Sequence, residues 1–368
     1  MKIVYDYQIF NSQKYGGVSR YIYEIATRIA RFNGFKVNIL AGLYVNKYLK
    51  NSSQDLVFGW PRPLLPKTTK IIARLNAQVS KILLRRDPPD IIHETYYLPR
   101  GIAPKSCKTI ITVHDMIHEK FSNLFKEKQR RFSLIKAEAI RRADRVICVS
   151  NQTKKDLIEI LDINPQKISV IYHGSSLQIS DSLDRDTSSI EYPYILYVGK
   201  RQGYKNFDRL LQGYAKCDSL NNNFKLVCTG QTRFSSSELN RIYDLGLNED
   251  KVKYVSGDDR TLAKLYKQAS VFVYPSLYEG FGIPLLEAMS LGCPIVCSNT
   301  SSIPEVVDNA AEFFDPYEVD SIVNALEKVL FSSERVKSLV TLGGERIKHF
   351  SWEASAKQTS LVYSSLLL

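Results

Sequence analysis

The chain has 368 residues, 44% hydrophobic and 24% charged, with a formal net charge of +12. That length exceeds what one hydrophobic core organises, so two domains are expected, and the composition excludes a disordered or fibrous protein. No apolar run approaches the roughly 20 residues of a membrane span, and the opening MKIVYDYQIF reads as a first strand rather than a signal peptide.

The six cysteines lie inside apolar runs with no His or Cys at zinc-site spacing, and read as buried free thiols of a reducing cytoplasm. Charge is uneven. Residues 1–180 hold 30 Lys and Arg against 14 Asp and Glu, whereas residues 181–368 hold 20 against 24. A basic half beside a mildly acidic one implies an anionic partner for the first domain, either nucleic acid or a phospholipid surface.

In chain order, the strand KIVYD is followed by 15-YGGVSRY-21, a glycine turn at the strand's carboxyl end that opens an amphipathic helix. Gly16 and Gly17 lack the Gly-x-Gly-x-x-Gly and Walker spacings, which argues against cofactor redox chemistry and ATP hydrolysis. After the strand KVNILAG comes 67-KTTKIIARLNAQVSKILLRR-86, with Ile71, Ile72, Leu75, Val79, Ile82 and Leu83 on one helical face. Lys67, Lys70, Arg74, Lys81 and Arg85 flank that face. Packing of the apolar face on its own sheet is the first expectation, and a basic helix lying on anionic lipid is the alternative. One helix satisfies both if its cations alone face the membrane.

The strands DIIHETY and KTIITVHD follow, the second placing His114 and Asp115 at its end; His114 is equally readable as a structural histidine or as a group lining a site. A second basic helix is expected over 126–142, then the strands RVICVS and KISVIY. The segment 174-GSSLQISDSLDRDTSSIEYP-193 is rich in Ser and Asp and reads as a linker. It divides an N-terminal domain, 1–173, from a C-terminal domain, 194–350, with a last helix over 351–368. Short apolar runs alternating with amphipathic ones predict an α/β protein with parallel sheets in both domains.

In the second domain, YILYVG leads into 199-GKRQGYKNFDRLL-211, which places Gly199, Arg201 and Lys205 beyond a strand end and before a helix. Two cations there would neutralise a diphosphate leaving group without metal, although a solvated loop is the bland reading. The strands FKLVCTG, VKYVSG and SVFVYPS follow, and then 278-YEGFGIPLLEAMSLGCPIVCS-298. Its glycines Gly280 and Gly282 empty into a helix start at Pro284, an arrangement that presents backbone N–H groups to an anion. Glu279 and Glu287 are spaced to bracket an elongated ligand with hydroxyls at both ends, as a nucleotide sugar has, rather than to act as a hydrolytic pair. The tripeptide Asp184-Arg185-Asp186 imitates a metal-binding Asp-x-Asp, but it sits in the linker and is discounted, so no metal site is expected.

Together these motifs resemble glycosyltransferase family 4, retaining sugar-nucleotide transferases of the GT-B fold with two facing Rossmann-like domains and a cleft between them. The segment from Glu279 to Glu287 is the most specific match; YVGKRQGYKN, the Gly16–Gly17 loop, TVHD and 144-DRVICVSNQTKKDL-157 extend it along nearly the whole chain. The likeness is nearest to the mannosyltransferase-like branch that builds bacterial O-antigen, capsule or exopolysaccharide. The resemblance implies that Arg201 and Lys205 hold the donor diphosphate, Glu287 the ribose, and Glu279 the donor sugar. It implies backbone contacts from Phe281, Gly282 and Ile283, an approach by Gly16 and Gly17, and His114 beside the transferred sugar. The implied reaction is front-face transfer with retained configuration and no cofactor, from a nucleoside diphosphate sugar, with GDP-mannose the favoured candidate, to a saccharide or lipid-linked saccharide. It further implies a cytoplasmic enzyme, in reach of the inner membrane face. The family's Asn-Gly-Val-Asp crossing appears here as 173-HGSS-176, a departure that touches the hinge. Two alternatives stay open: another GT-B enzyme of epimerase or phosphorylase type, and a nucleic-acid binder using the basic half. The second lacks the interleaved aromatics such a surface needs, and no nucleic-acid partner is expected.

Overall fold

The computed structural model describes all residues except 54, 125–126, 176–189, 202, 231 and 368, and only the backbone of 51, 128 and 129. Most of the expected linker, including Asp184-Arg185-Asp186, therefore lies outside the described residues. The chain divides into two compact units, Met1–Gly174 with Ser351–Leu368, and Ser175–Phe350.

The first unit is built on β1 (Lys2–Tyr5), β2 (Lys36–Tyr44), β3 (Val57–Pro61), β4 (Ile91–Glu94), β5 (Lys108–Val113), β6 (Arg145–Cys148) and β7 (Ile168–Val170). Among the described residues they form one parallel sheet in the order β3-β2-β1-β4-β5-β6-β7. The connecting helices are α1 (Gln8–Ser12), α2 (Gly17–Ile29), α3 (Thr69–Arg86), α4 (Ile117–Lys120), α5 (Glu127–Arg142) and α6 (Asn151–Leu161). Strands buried on both faces explain why their sequences are continuous Val and Ile runs rather than alternating ones. Ile3 and Tyr5 pack toward α2, while Val4 and Ile92 pack toward α3.

The second unit holds β8 (Tyr194–Val198), β9 (Lys225–Thr229), β10 (Val252–Tyr254), β11 (Val271–Tyr274), β12 (Ile295–Ser298) and β13 (Glu312–Phe314), parallel in the order β10-β9-β8-β11-β12-β13. Its helices are α7 (Phe207–Lys216), α8 (Asp218–Asn223), α9 (Ser236–Asp244), α10 (Asp259–Gln268), α11 (Ile283–Ser290), α12 (Ile303–Val307), α13 (Val319–Leu330) and α14 (Ser333–Arg346).

The last helix, α15 (Trp352–Ser364), belongs to the first unit and packs on α2, where Arg28 Nε meets Glu353 Oε1 at 2.7 Å. Its inner face enters a buried polar chain. Tyr363 Oη lies 2.7 Å from Tyr5 Oη and 2.6 Å from His93 Nδ1, and His93 Nε2 lies 2.9 Å from Thr112 Oγ1. Tyr21 Oη continues the chain to Thr112 at 3.1 Å. Buried polar groups with these partners avoid the cost of stripping water from them, so the helix is held by direction as well as by apolar area.

The orientation of α3 corrects an expectation. Its inward face carries Asn76, Ser80 and Leu84, whereas Ile71, Leu75, Val79 and Ile82 point outward. The cause is Asn76: its Oδ1 accepts from the Leu43 N–H at 3.0 Å, and its Nδ2 donates to the Leu43 carbonyl at 3.1 Å. An apolar residue there would leave both strand groups unpaired, so hydrogen bonding fixes the helix rotation against the hydrophobic stripe. By contrast α5 behaves as an ordinary surface helix, with Ala137, Ala139 and Ile140 inward and Arg131, Leu134 and Arg141 outward.

Candidate active site

In an open parallel sheet, ligands bind beyond the carboxyl ends of the strands where strand order reverses. In the second unit the reversal falls between β8 and β11. The loop after β8 carries Gly199, Arg201 and Lys205; the turn after β11 carries Glu279, Gly280, Phe281 and Gly282 and opens α11. Lys205 and Glu279 meet there, Nζ to Oε1 at 2.6 Å, both largely buried. The ammonium also lies 5.3 Å from the Tyr204 ring centre and 5.7 Å from that of Tyr274. Burial, and then the Glu279 charge and hydrogen bond, push the Tyr274 phenol well above its usual range, so it stays a donor.

The turn is held from the next strand. After β12, Ser301 Oγ accepts from the Glu279 N–H at 2.9 Å, and Ser302 Oγ donates to the carbonyls of Glu279 and Phe281 at 2.9 and 3.1 Å. Gly282 adopts φ +108°, and a Cβ there would lie 2.8 Å from Leu285 Cδ1, so only glycine fits without strain. No side chain caps α11 at Gly282, while Pro284 sits in its first turn and Ile283 is its first residue. The helix therefore presents main chain rather than a capping hydroxyl toward the crevice, the arrangement that suits an anion. Glu287, one turn on, is buried and accepts from Tyr266 Oη at 3.3 Å.

Arg201 is placed differently from Lys205. Its side chain is almost fully buried, with Nε 2.8 Å from Glu238 Oε1 and Nη2 donating to the carbonyls of Thr232 and Arg233 at 2.9 and 3.0 Å. The guanidinium lies 4.7 Å from the Phe234 ring centre. Glu238 closes a capping box with Ser235 at the start of α9, and these contacts hold its carboxyl below the usual range despite burial. Arg201 thus ties the loop after β8 to α9 instead of joining the Lys205–Glu279 pair.

In the first unit, Gly16 forms the start of α2, and a Cβ on it would lie 2.4 Å from Gln13 Oε1, which itself accepts from the Ser19 N–H at 3.3 Å. Gly17 is the first residue of that helix. His114 follows β5, half-buried, edge-on to Tyr21 at 5.3 Å and stacked on His173 at 6.0 Å. Burial lowers its pKa to about 4, opposed by Asp115, so it is a neutral imidazole near pH 7. Lys136, fully buried, donates to the Asp115 carbonyl at 2.5 Å and pairs with Glu119 at 2.9 Å, which fixes the loop carrying His114. At the reversal of this sheet, between β1 and β4, Thr95 Oγ1 donates to Asp6 Oδ1 at 2.6 Å, and Glu94 pairs with Arg142 at 2.6 Å while burial raises its pKa to about 7.

Sequence reading passed over Glu238, Ser301, Ser302 and Tyr266, and took His173 only as part of the altered crossing 173-HGSS-176. The two serines follow β12 as the glycine turn follows β11, so the strand-end rule would have reached them. Glu238 and Tyr266 lie on helices, with no such signal.

Two doubly wound parallel sheets with this strand-end arrangement define the GT-B class of glycosyltransferases. The family described as Glycosyltransferase Family 4 matches residues 15–178, and Glycosyl transferases group 1 matches residues 181–343. The chain is 30% identical over 302 residues to O-antigen chain mannosyltransferase B of Escherichia coli, covering 76% of each. It is 31% identical over 220 residues to O-antigen chain mannosyltransferase RfbU of Salmonella typhimurium, covering 60% of each. Against the Escherichia coli serotype-specific mannosyltransferase WbdA it is 29% identical over 267 residues but spans only 32% of that protein. The fold matches sucrose-phosphate synthase of Thermosynechococcus elongatus at a TM-score of 0.80 and 20% identity, over 100% of this chain and 99% of that one. It matches WaaG, a glycosyltransferase involved in lipopolysaccharide biosynthesis, at 0.74 and 16%, over 99% of each. The chain belongs to glycosyltransferase family 4, in the branch of the O-antigen mannosyltransferases.

Proposed function

We propose that the protein transfers a hexose, with mannose favoured, from a nucleoside diphosphate sugar to a saccharide or lipid-linked saccharide of a cell-surface polysaccharide, retaining the anomeric configuration without a metal ion. The observation that carries this reading is the Lys205–Glu279 pair at the strand reversal, beside the main-chain start of α11. A donor diphosphate would take Lys205 from Glu279, freeing the carboxylate to accept from sugar hydroxyls, while Glu287 would accept from the ribose. GDP-mannose is the favoured donor because curated relatives named as mannosyltransferases match most of the chain.

In the proposed reaction an acceptor hydroxyl forms a bond to the anomeric carbon as the bond to the diphosphate oxygen breaks. The nucleoside diphosphate leaves on the same face and takes the acceptor proton. Lys205 stabilises the departing charge, and neutral His114 hydrogen-bonds a sugar hydroxyl without gaining a proton, so catalysis rests on positioning and fixed charge. Arg201 shapes the phosphate loop by tying it to α9, and its guanidinium would share in holding the diphosphate.

A thermal-shift screen of GDP, UDP and their sugars tests the reading, because a ligand of the folded state raises its melting temperature. GDP and GDP-mannose are expected to stabilise, with transfer then giving a product of unchanged anomeric configuration. Stabilisation by no nucleotide, or an inverted product, would overturn it.

A further inference from the structure

We propose that the outer face of α3, with the neighbouring edge strand β3, is a docking surface for an anionic phospholipid bilayer. Ile71, Leu75 and Ile82 are 66%, 50% and 52% exposed on one stripe of α3, with Val79 beside them. Strand β3 is the sheet edge. Phe58 and Trp60 extend from it on the α3 side of the sheet, since Phe58 is in register with Leu40, which packs toward α3, Val57 packs on the opposite face, and Trp60 shares the face of Phe58 two residues on. Their rings lie 5.8 Å apart, and Trp60 is 64% exposed. Isolated exposed apolar side chains need no explanation, but six large ones gathered on one helix face and the edge strand on the same side of the sheet mark an interaction surface.

Charge identifies the occupant. At about 100° per residue, Lys70, Arg74, Lys81 and Arg85 line one flank of the apolar stripe, and Arg86 lies at its end. Residues 56–86 contain no Asp or Glu, and none of these cations is ion-paired among the described residues. A protein interface would bury such a dense single-sign row at a cost. A bilayer takes the apolar side chains below its headgroups and leaves the cations among lipid phosphates. The arrangement differs from the first expectation and from the combined one, in which the apolar face packs inward and cations alone face lipid: here Asn76 turns the apolar stripe itself outward. No described helix is long and apolar enough to cross a membrane, so the surface would hold the protein on a leaflet rather than through it.

The test uses the full chain, pelleted with vesicles of phosphatidylcholine alone or of phosphatidylcholine with phosphatidylglycerol. We expect at least about tenfold stronger binding to the anionic vesicles, lost at raised salt. The chain has two tryptophans, and Trp352 is buried, so a blue shift of emission on binding should come from Trp60 and vanish in Trp60→Phe. Leu75→Gln with Ile82→Gln, and separately the fourfold glutamine variant of Lys70, Arg74, Lys81 and Arg85, should each weaken binding at least about tenfold. Both sets point outward, and an unchanged melting temperature shows that the fold is kept. Equal recovery on both vesicle types, unchanged binding in both variants, or a dimer broken by Leu75→Gln and Ile82→Gln with no vesicle binding would each overturn the proposal. The readout is separate from the transferase reading: nucleotide-induced stabilisation should be the same in these variants as in the parent.

Discussion

Lys205 Nζ and Glu279 Oε1 stand 2.6 Å apart, an ion pair that joins the loop after β8 to the glycine turn after β11 across the strand reversal. Because both groups are largely buried, removing one leaves the other's charge uncompensated; in the proposed reaction a donor anion substitutes for Glu279. Lys205→Ala is expected to lower kcat/KM by at least about 3 kcal/mol of transition-state stabilisation, as loss of a preorganised charge does. Steady-state kinetics on the parent's donor checks it; a change in KM alone would place Lys205 in ground-state binding.

The role of Arg201 separates from that of Lys205 by comparison with its partner. Glu238→Ala should lower the melting temperature and raise donor KM, by freeing the loop that Arg201 ties to α9. Arg201→Ala should do the same and also lower kcat, in total by about 3 kcal/mol. If the two variants match in every parameter, Arg201 acts only through Glu238.

Gly282→Ala should cost roughly 1–3 kcal/mol of stability, because alanine is strained at φ +108° and its Cβ meets Leu285. Donor affinity should fall with it, since the same backbone starts α11. Chemical denaturation together with nucleotide titration measures both effects.

Acid should destabilise the first unit through its histidines. Burial lowers His93 to about 3 and His114 to about 4, from an ordinary 6.5. The unfolded chain therefore binds protons that the folded one refuses, so this stability is fully present above pH 6.5 and declines as pH falls toward 3–4. Each histidine contributes a slope of up to about 1.4 kcal/mol per pH unit in that window. His93→Gln should flatten the dependence when melting is followed from pH 7 to 4.

Deleting residues 351–368 should destabilise the first unit, because it strips Tyr363 from Tyr5 and His93 and exposes the α2 face. Insolubility, or a melting temperature lowered by many degrees, is expected. An unchanged melting temperature would contradict the packing of α15.

The sequence by itself determined the two parallel α/β sheets, because strands buried on both faces must be short Val- and Ile-rich runs, and these can be counted along the chain. It also placed Lys205 and Glu279, residues of the candidate site, beyond strand ends, since parallel sheets put their loops and glycine turns at one edge. What only the tertiary structure decided were partners distant in sequence. Glu238 claims Arg201, Ser301 and Ser302 set the turn at Glu279, and Tyr363 closes the chain through His93. The rotation of α3 belongs with these. Its periodicity marks an apolar stripe but not which way the stripe faces, and two hydrogen bonds from Asn76 to Leu43 turn it outward. Periodicity reports a helix's own pattern, whereas a buried polar group's need for a partner is met by a residue no local window contains.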